Sequence, residues 1–315
     1  MFNYTRIQIN DIANSGSFIV NTTEKVLRLY DILEYIRQSK IKDMLALKGG
    51  TAINLWLLNL PRLSVDIDLD FTIGCSREEM MSYREQIRKV ITGYMSDEGY
   101  VLSDRSKFVH SLDSFVYGYT TLSNSRDVLK IEINYSDRVH VYDPIENQSS
   151  AALGRILNVR RLADNELIGS KVNALIVRTT PRDIFDVYTL LNAEMIKDED
   201  LIKKIAVFYA VLGSESPIDF DKSLNLAKEK ISRFNYNIAR ETLIPVLRKG
   251  EKLKIDDMVN LVNTYLQNSF VLTNREQEYI DRFNEGEYLP ELLFEGYDIN
   301  DIRNHPMALW KTRKE

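Results

Sequence analysis

The spacing of apolar residues changes along the chain, and each change predicts an element. In residues 23–40, Val26, Leu29, Tyr30, Leu33 and Ile36 recur at helical intervals. The apolar run 44–48, MLALK, reads as a strand, and the Gly49–Gly50 pair after it as a tight turn. TAINLWLLNL then predicts a helix capped by Thr51 and ended by Pro61. Residues 64–73, SVDIDLDFTI, alternate strictly, as a strand does. SREEMMSYREQIRKVITGYM predicts a helix with Ser76 as its cap and acids in its first turn. The stretches 100–122 and 127–137 predict further strands of the same sheet. Past residue 150 the patterned stretches (164–178, 182–193, 200–213, 220–234 and 255–271) are all helical. The polar, turn-rich DPIENQSSAALG marks a boundary. The expected fold is α+β: a mixed sheet with helices over residues 1–150, then a mainly helical domain over 151–315.

Composition narrows the class. Apolar residues at 44% can build a sizeable core, and 28% charged residues is ordinary for a soluble chain. The net charge of −5 excludes an all-over basic coat and leaves room for a local basic face. Cys75 is the sole cysteine, which excludes an internal disulfide and a cysteine-based zinc site. His110, His140 and His305 are scattered, which argues against a histidine-rich metal site. The N-terminus has no basic-then-apolar leader, and no apolar run approaches the roughly 20 residues of a membrane span. A cytoplasmic setting without membrane association is the expectation.

The alternating strand carries the first candidate chemistry. Asp66, Asp68 and Asp70 fall on one side of it, with Val65, Ile67, Leu69 and Phe71 on the other. Neighbouring carboxylates repel and are costly to bury unless a cation offsets them. Mg²⁺ suits such a set, because it takes oxygen ligands and leaves room for phosphate oxygens. Upstream, Gly49 and Gly50 let the backbone approach a phosphate, and the following helix would turn its N-terminal amides toward it. Each feature has a plain reading: a glycine pair can be only a turn, and an aspartate-studded strand only a solubilised edge. Sixteen residues apart and joined by one helix, the two together point to a nucleoside-triphosphate site.

A second constellation lies in KVNALIVRTTPRDIFD, read as helix, turn, helix. Lys171, Leu175 and Arg178 share one face, Pro181 suits a helix start, and Asp183 and Asp186 are surface neighbours three residues apart. The plain alternative is a capped helix pair with a salt bridge from Arg178 or Arg182 to Asp183 or Asp186.

The glycine pair, a helix and then DID resemble the hallmark of the DNA polymerase β-type nucleotidyltransferases. The longer string KGGTAINL…PRLSVDIDLDF resembles more specifically the AbiEii/AbiGii toxin family, nucleotidyltransferases of abortive-infection and related MenT-like toxin–antitoxin systems. The family pattern falls on Gly49, Gly50, Thr51, Arg62, Ser64, Asp66 and Asp68, and its Lys and Arg-Asp-x-x-Asp motif on Lys171, Arg178, Arg182, Asp183 and Asp186. Asp70 lies outside the pattern as an accessory carboxylate.

The resemblance implies a toxin that transfers a nucleotide from an NTP with Mg²⁺ or Mn²⁺. Asp66, Asp68, Lys171 and Asp186 would be catalytic. Gly49, Gly50, Thr51, Arg62, Ser64, Arg182 and Asp183 would bind the nucleotide. Enzymes of the superfamily often add a third carboxylate from a later strand, and Glu132 is the candidate, its alternative being a surface acid paired with a neighbouring Lys or Arg. The implied acceptor is RNA, with tRNA 3′ ends favoured, and Arg155, Arg160, Arg161, Arg178 and Arg182 are the cations best placed for it. The implied context is an antitoxin encoded nearby, with blocked growth or phage propagation as the outcome. The competing classes are a nucleotidyltransferase acting on a protein or small molecule, and a non-catalytic NTP-binding module; intact Asp66 and Asp68 argue against the last.

Overall fold

The stretches flanking the glycine pair are neighbours in the sheet. Strand β1 (Leu45–Lys48) and strand β2 (Ile67–Phe71) pair antiparallel, with Lys48 opposite Asp68. The computed structural model describes residues 2–215 and 217–313 and divides into two compact units. The first unit comprises Met1–Arg138, Pro144–Leu162 and Pro245–Glu251, and the second Val139–Asp143, Ala163–Ile244 and Lys252–Glu315.

The first unit opens with helices α1 (Arg6–Gly16) and α2 (Val20–Gln38). After β1 a short helix, α3 (Gly49–Ala52), runs into a π-helical turn, Ile53–Leu57. After β2 come helix α4 (Arg77–Asp97), strands β3 (Val101–Leu102) and β4 (Lys107–Val109), and the long hairpin β5 (Leu112–Thr120) and β6 (Arg126–Asn134). Strands β7 (Ile145–Gln148) and β8 (Asn158–Arg161) complete a sheet in the order β3-β5-β6-β2-β1-β8-β7, with β4 on β5. β2 pairs parallel with β6, which sets Asp68 opposite Glu132 and Ile67 opposite Ile131. One set of alternate residues, Ile67, Leu69, Phe71, Ile131 and Ile133, is buried in the core.

Arg84 lies on the buried face of α4. Its guanidinium donates to the carboxylate of Asp113 at 2.6 Å and to the backbone oxygens of His110 and Leu112. Arg88 and the Tyr135 hydroxyl donate to the same carboxylate at 2.5 and 3.2 Å. Burial alone would raise the Asp113 carboxyl; hydrogen bonds from Arg88 and Arg84 more than offset this and hold it below the usual range.

The second unit is helical: α5 (Asp164–Arg178), α6 (Pro181–Asn192), α7 (Glu199–Gly213), α8 (Phe220–Ser232), α9 (Tyr236–Thr242), α10 (Ile255–Ser269), α11 (Asn274–Asn284), α12 (Glu291–Phe294) and α13 (Pro306–Lys311). α5 crosses α7 closely at Gly169, where a Cβ would fall 2.4 Å from Cγ2 of Ile205. Glu166 is buried and accepts from the backbone amide of Val141 at 2.8 Å and the Tyr209 hydroxyl at 2.5 Å.

Three sequence expectations shift. The helix predicted from Thr51 begins at Gly49, because Thr51 spends its hydroxyl on the Asp66 carbonyl oxygen at 2.6 Å instead of capping. The strand predicted over 64–73 is regular only over Ile67–Phe71, so Ser64 and Asp66 precede it. A single division at residue 150 gives way to an interleaved one, because the chain returns after Pro144 to add β7 and β8. Those two strands have no periodic signal: β7 is exposed along its length, and β8 buries Val159 with Arg161.

Arg84→Met should destabilise the protein by about 3 kcal/mol, because it strips a buried carboxylate of its most buried partner. Urea unfolding measures this, and a loss below about 1 kcal/mol would show that Arg88 alone suffices.

Candidate active site

Gly49 turns the chain out of β1 with φ +70°, where side chains are strained. A Cβ there would lie 2.6 Å from Oδ2 of Asp68. The missing side chain is therefore what lets the Asp68 carboxylate rest against the turn. At Gly50 a Cβ would lie 2.8 Å from Nη2 of Arg62 and 3.0 Å from Oγ of Ser64. Arg62 is only 2% exposed and donates to the Leu63 carbonyl oxygen at 2.9 Å. Among the residues assigned to nucleotide binding, Gly49, Gly50, Thr51, Arg62 and Ser64 thus meet at one place, with Arg62 buried against the turn.

The carboxylates gather beside it. Burial, the charge of Asp66 and then that of Glu132 push the Asp68 carboxyl up to about 6, against the pull of Lys48 and Lys130. Glu132 pairs with Lys130 at 2.7 Å, so the acid picks up the lysine foreseen in its plain alternative while standing opposite Asp68 in the register. Asp70 is different. It is 1% exposed and pairs with Lys48 at 2.5 Å. Burial would lower the Lys48 ammonium, but Asp70 and Asp137 more than offset this and hold it above its usual range. Asp70 therefore fixes a cation beside the site.

Among the described residues, no group of three or more His, Cys, Asp or Glu side chains converges closely enough to hold a metal by itself. The Asp66–Asp68 pair nevertheless suits a hard divalent cation. Its donors are all carboxylate oxygens, its charges repel, and Mg²⁺ commonly takes one or two carboxylates and completes its shell with water and phosphate oxygens. Sequence reasoning passed over Lys48 and Lys130. Their signals were position: Lys48 directly precedes the glycine pair, and Lys130 shares the polar side of its strand with Glu132.

The second motif forms a network within the helical unit. Lys171 lies between Asp183 at 3.1 Å and Asp186 at 2.9 Å, with all three side chains buried. Arg178 grips Asp183 at 2.7 and 2.9 Å. Thr180 and Asp183 form the capping box of α6. Burial would raise the Asp183 carboxyl; Lys171 and Arg178 reverse this and hold it well below the usual carboxylate range. Arg182 points elsewhere and donates to the Thr242 carbonyl oxygen at 3.0 Å. The cations expected to face RNA are largely occupied. Arg155 pairs with Asp31, and Arg160 donates to Thr72 and the Asp43 carbonyl oxygen. Arg161 is 2% exposed, lies over Trp56 and donates to Asn147, so it has no surface to offer.

No helix among the described residues is long and apolar enough to cross a membrane. No curated protein matches the chain. Among solved structures it is similar to MenT4, a nucleotidyltransferase toxin from Mycobacterium tuberculosis H37Rv, at 16% identity and a TM-score of 0.62, over 88% of this chain and 94% of that one. At that identity the likeness is one of fold. JHP933 from Helicobacter pylori matches at 18% identity over 78% of this chain and 90% of that one, with a TM-score of 0.43, too low to add to the argument. The family model described as nucleotidyl transferase AbiEii toxin, type IV TA system, matches residues 31–263, most of the chain and both motif regions. The chain belongs to the AbiEii family of nucleotidyltransferase toxins of type IV toxin–antitoxin systems.

Proposed function

We propose that this nucleotidyltransferase toxin passes the nucleotide of an NTP to RNA, most simply the 3′ end of a tRNA, at the glycine turn and carboxylates of its sheet unit. One observation carries the placement: the Asp68 carboxylate lies against Gly49 and is crowded by Asp66 and Glu132. Gly49, Gly50 and Thr51 seat the triphosphate, since the two glycines, lacking Cβ atoms, let the backbone come close to phosphate oxygens. Asp66 and Asp68, with Glu132 beside them, would hold Mg²⁺ or Mn²⁺. A cation bound there would lower the pKa of the acceptor hydroxyl and neutralise the departing pyrophosphate. The acceptor oxygen bonds to the α-phosphorus as the bond to pyrophosphate breaks, and the chain contributes positioning and fixed charge.

Buried Arg62 stiffens the turn, and Lys48, anchored by Asp70, stands as a fixed positive charge next to it. In the helical unit the motif names Lys171 and Asp186 for the reaction; their mutual ion pair supports a positioning role. RNA as acceptor rests on the resemblance to toxins that favour tRNA 3′ ends. Modified tRNA would stall translation and with it growth or phage propagation. Family membership implies a cognate antitoxin that restrains this activity.

Asp68→Asn should abolish transfer and leave the fold intact; an active, folded variant would sink the assignment. Its stability has a defined sign. The folded Asp68 carboxyl, at about 6, lies above its ordinary 3.8, so its contribution to stability is present below 3.8 and is lost as pH rises through about 6. In metal-free buffer at about pH 8, Asp68→Asn should therefore raise the melting temperature, while at about pH 4 it should change little. A lower melting temperature at the higher pH contradicts the crowding of charge.

Gly49→Ala should cut transfer by about a hundredfold through displacement of the Asp68 carboxylate. Unchanged rates would show that the turn tolerates a side chain.

Incubation with labelled NTPs, Mg²⁺ and total RNA should label RNA, and RNA binding should weaken steeply with salt. Label on protein alone would overturn the choice of acceptor.

A further inference from the structure

Lys130 is the polar side chain of the sheet site that the motifs leave without a task. Its ammonium lies 2.7 Å from Glu132, and its side chain is 41% exposed against 26% for Glu132. It also acts electrostatically on Asp66 and Asp68. A buried lysine pinned by several acceptors would be structural. This one is half in solvent, on a flexible stem with three donors, paired with Glu132 and within electrostatic reach of Asp66 and Asp68. The other lysine of the site is arranged differently: Lys48 is paired with the 1% exposed Asp70 and is fixed.

We propose that Lys130 is a placeholder cation: it neutralises Glu132, Asp66 and Asp68 when the site is empty, and swings to the polyphosphate of the incoming nucleotide when a divalent cation takes over those carboxylates. The inference rests on the placement of the active site at these carboxylates and adds a residue that neither motif contains. Two consequences have opposite signs. Lys130 competes with the metal for the carboxylates, so removing it favours metal binding alone. It also contributes a charge-assisted contact to the phosphates, so removing it weakens binding of the metal–polyphosphate complex. A lysine that only supports the fold would weaken both.

The test uses the full chain and probes that need no turnover. Mn²⁺ alone is titrated by electron paramagnetic resonance, and inorganic tripolyphosphate with Mg²⁺ by calorimetry. Lys130→Met should bind Mn²⁺ several-fold tighter and Mg²⁺-tripolyphosphate about tenfold weaker. Lys130→Arg, which keeps the charge and the reach, should stay near the parent on both. Unchanged affinities, or both weakened together, overturn the placeholder role. Asp68→Asn separates the two levels of the argument. Loss of Mn²⁺ binding in that variant establishes the carboxylate site whatever Lys130 does, and retained Mn²⁺ binding removes the site and the inference with it.

Discussion

Crowding of like charge organises the sheet unit. Asp66, Asp68 and Glu132 sit near one another beside a glycine turn, and burial, with the charges of Asp66 and Glu132 added to it, pushes the Asp68 carboxyl up to about 6. Such a site is held together by its surroundings. Thr51 ties the turn to the Asp66 carbonyl oxygen, and Lys48 is locked by Asp70. Buried Arg62 lies where Gly50 leaves space. The opposite side of the sheet supplies rigidity through Ile67, Leu69, Phe71 and the buried grip of Arg84 on Asp113. Charge repulsion at the front is tolerated because the apolar layer and this ion pair hold the strands that carry it.

The helical unit shows the complementary case. Lys171, Asp183, Asp186 and Arg178 hold opposite charges at hydrogen-bond distances, and Asp183 is kept ionised. In the sheet unit burial and neighbouring acids push the Asp68 carboxyl up; in the α5–α6 corner Lys171 and Arg178 hold the Asp183 carboxyl down. The same residue types therefore do different work, and the difference lies in how charge is balanced.

Much of this was legible from spacing. Alternation in SVDIDLDF marked the strand, the Ser76–Glu79 capping box marked α4, and the two motifs marked the residues that gather around Gly49 and around Lys171. What was not legible depended on pairing across the sheet. Asp70 looked like a third member of one set until β1 brought Lys48 to it. Arg161 looked like a surface cation, because no local pattern shows that β8 runs parallel beside β1 and buries it. Thr51 looked like a cap, because its hydrogen bond goes to a residue fifteen positions away.

The most direct measurement of the central claim is a crystal of the protein soaked in Mn²⁺ and examined for anomalous scattering. A peak is expected against the carboxylates of Asp66 and Asp68, beside the Gly49 turn. A peak at Asp183 and Asp186 with none at Asp66 and Asp68 would contradict it.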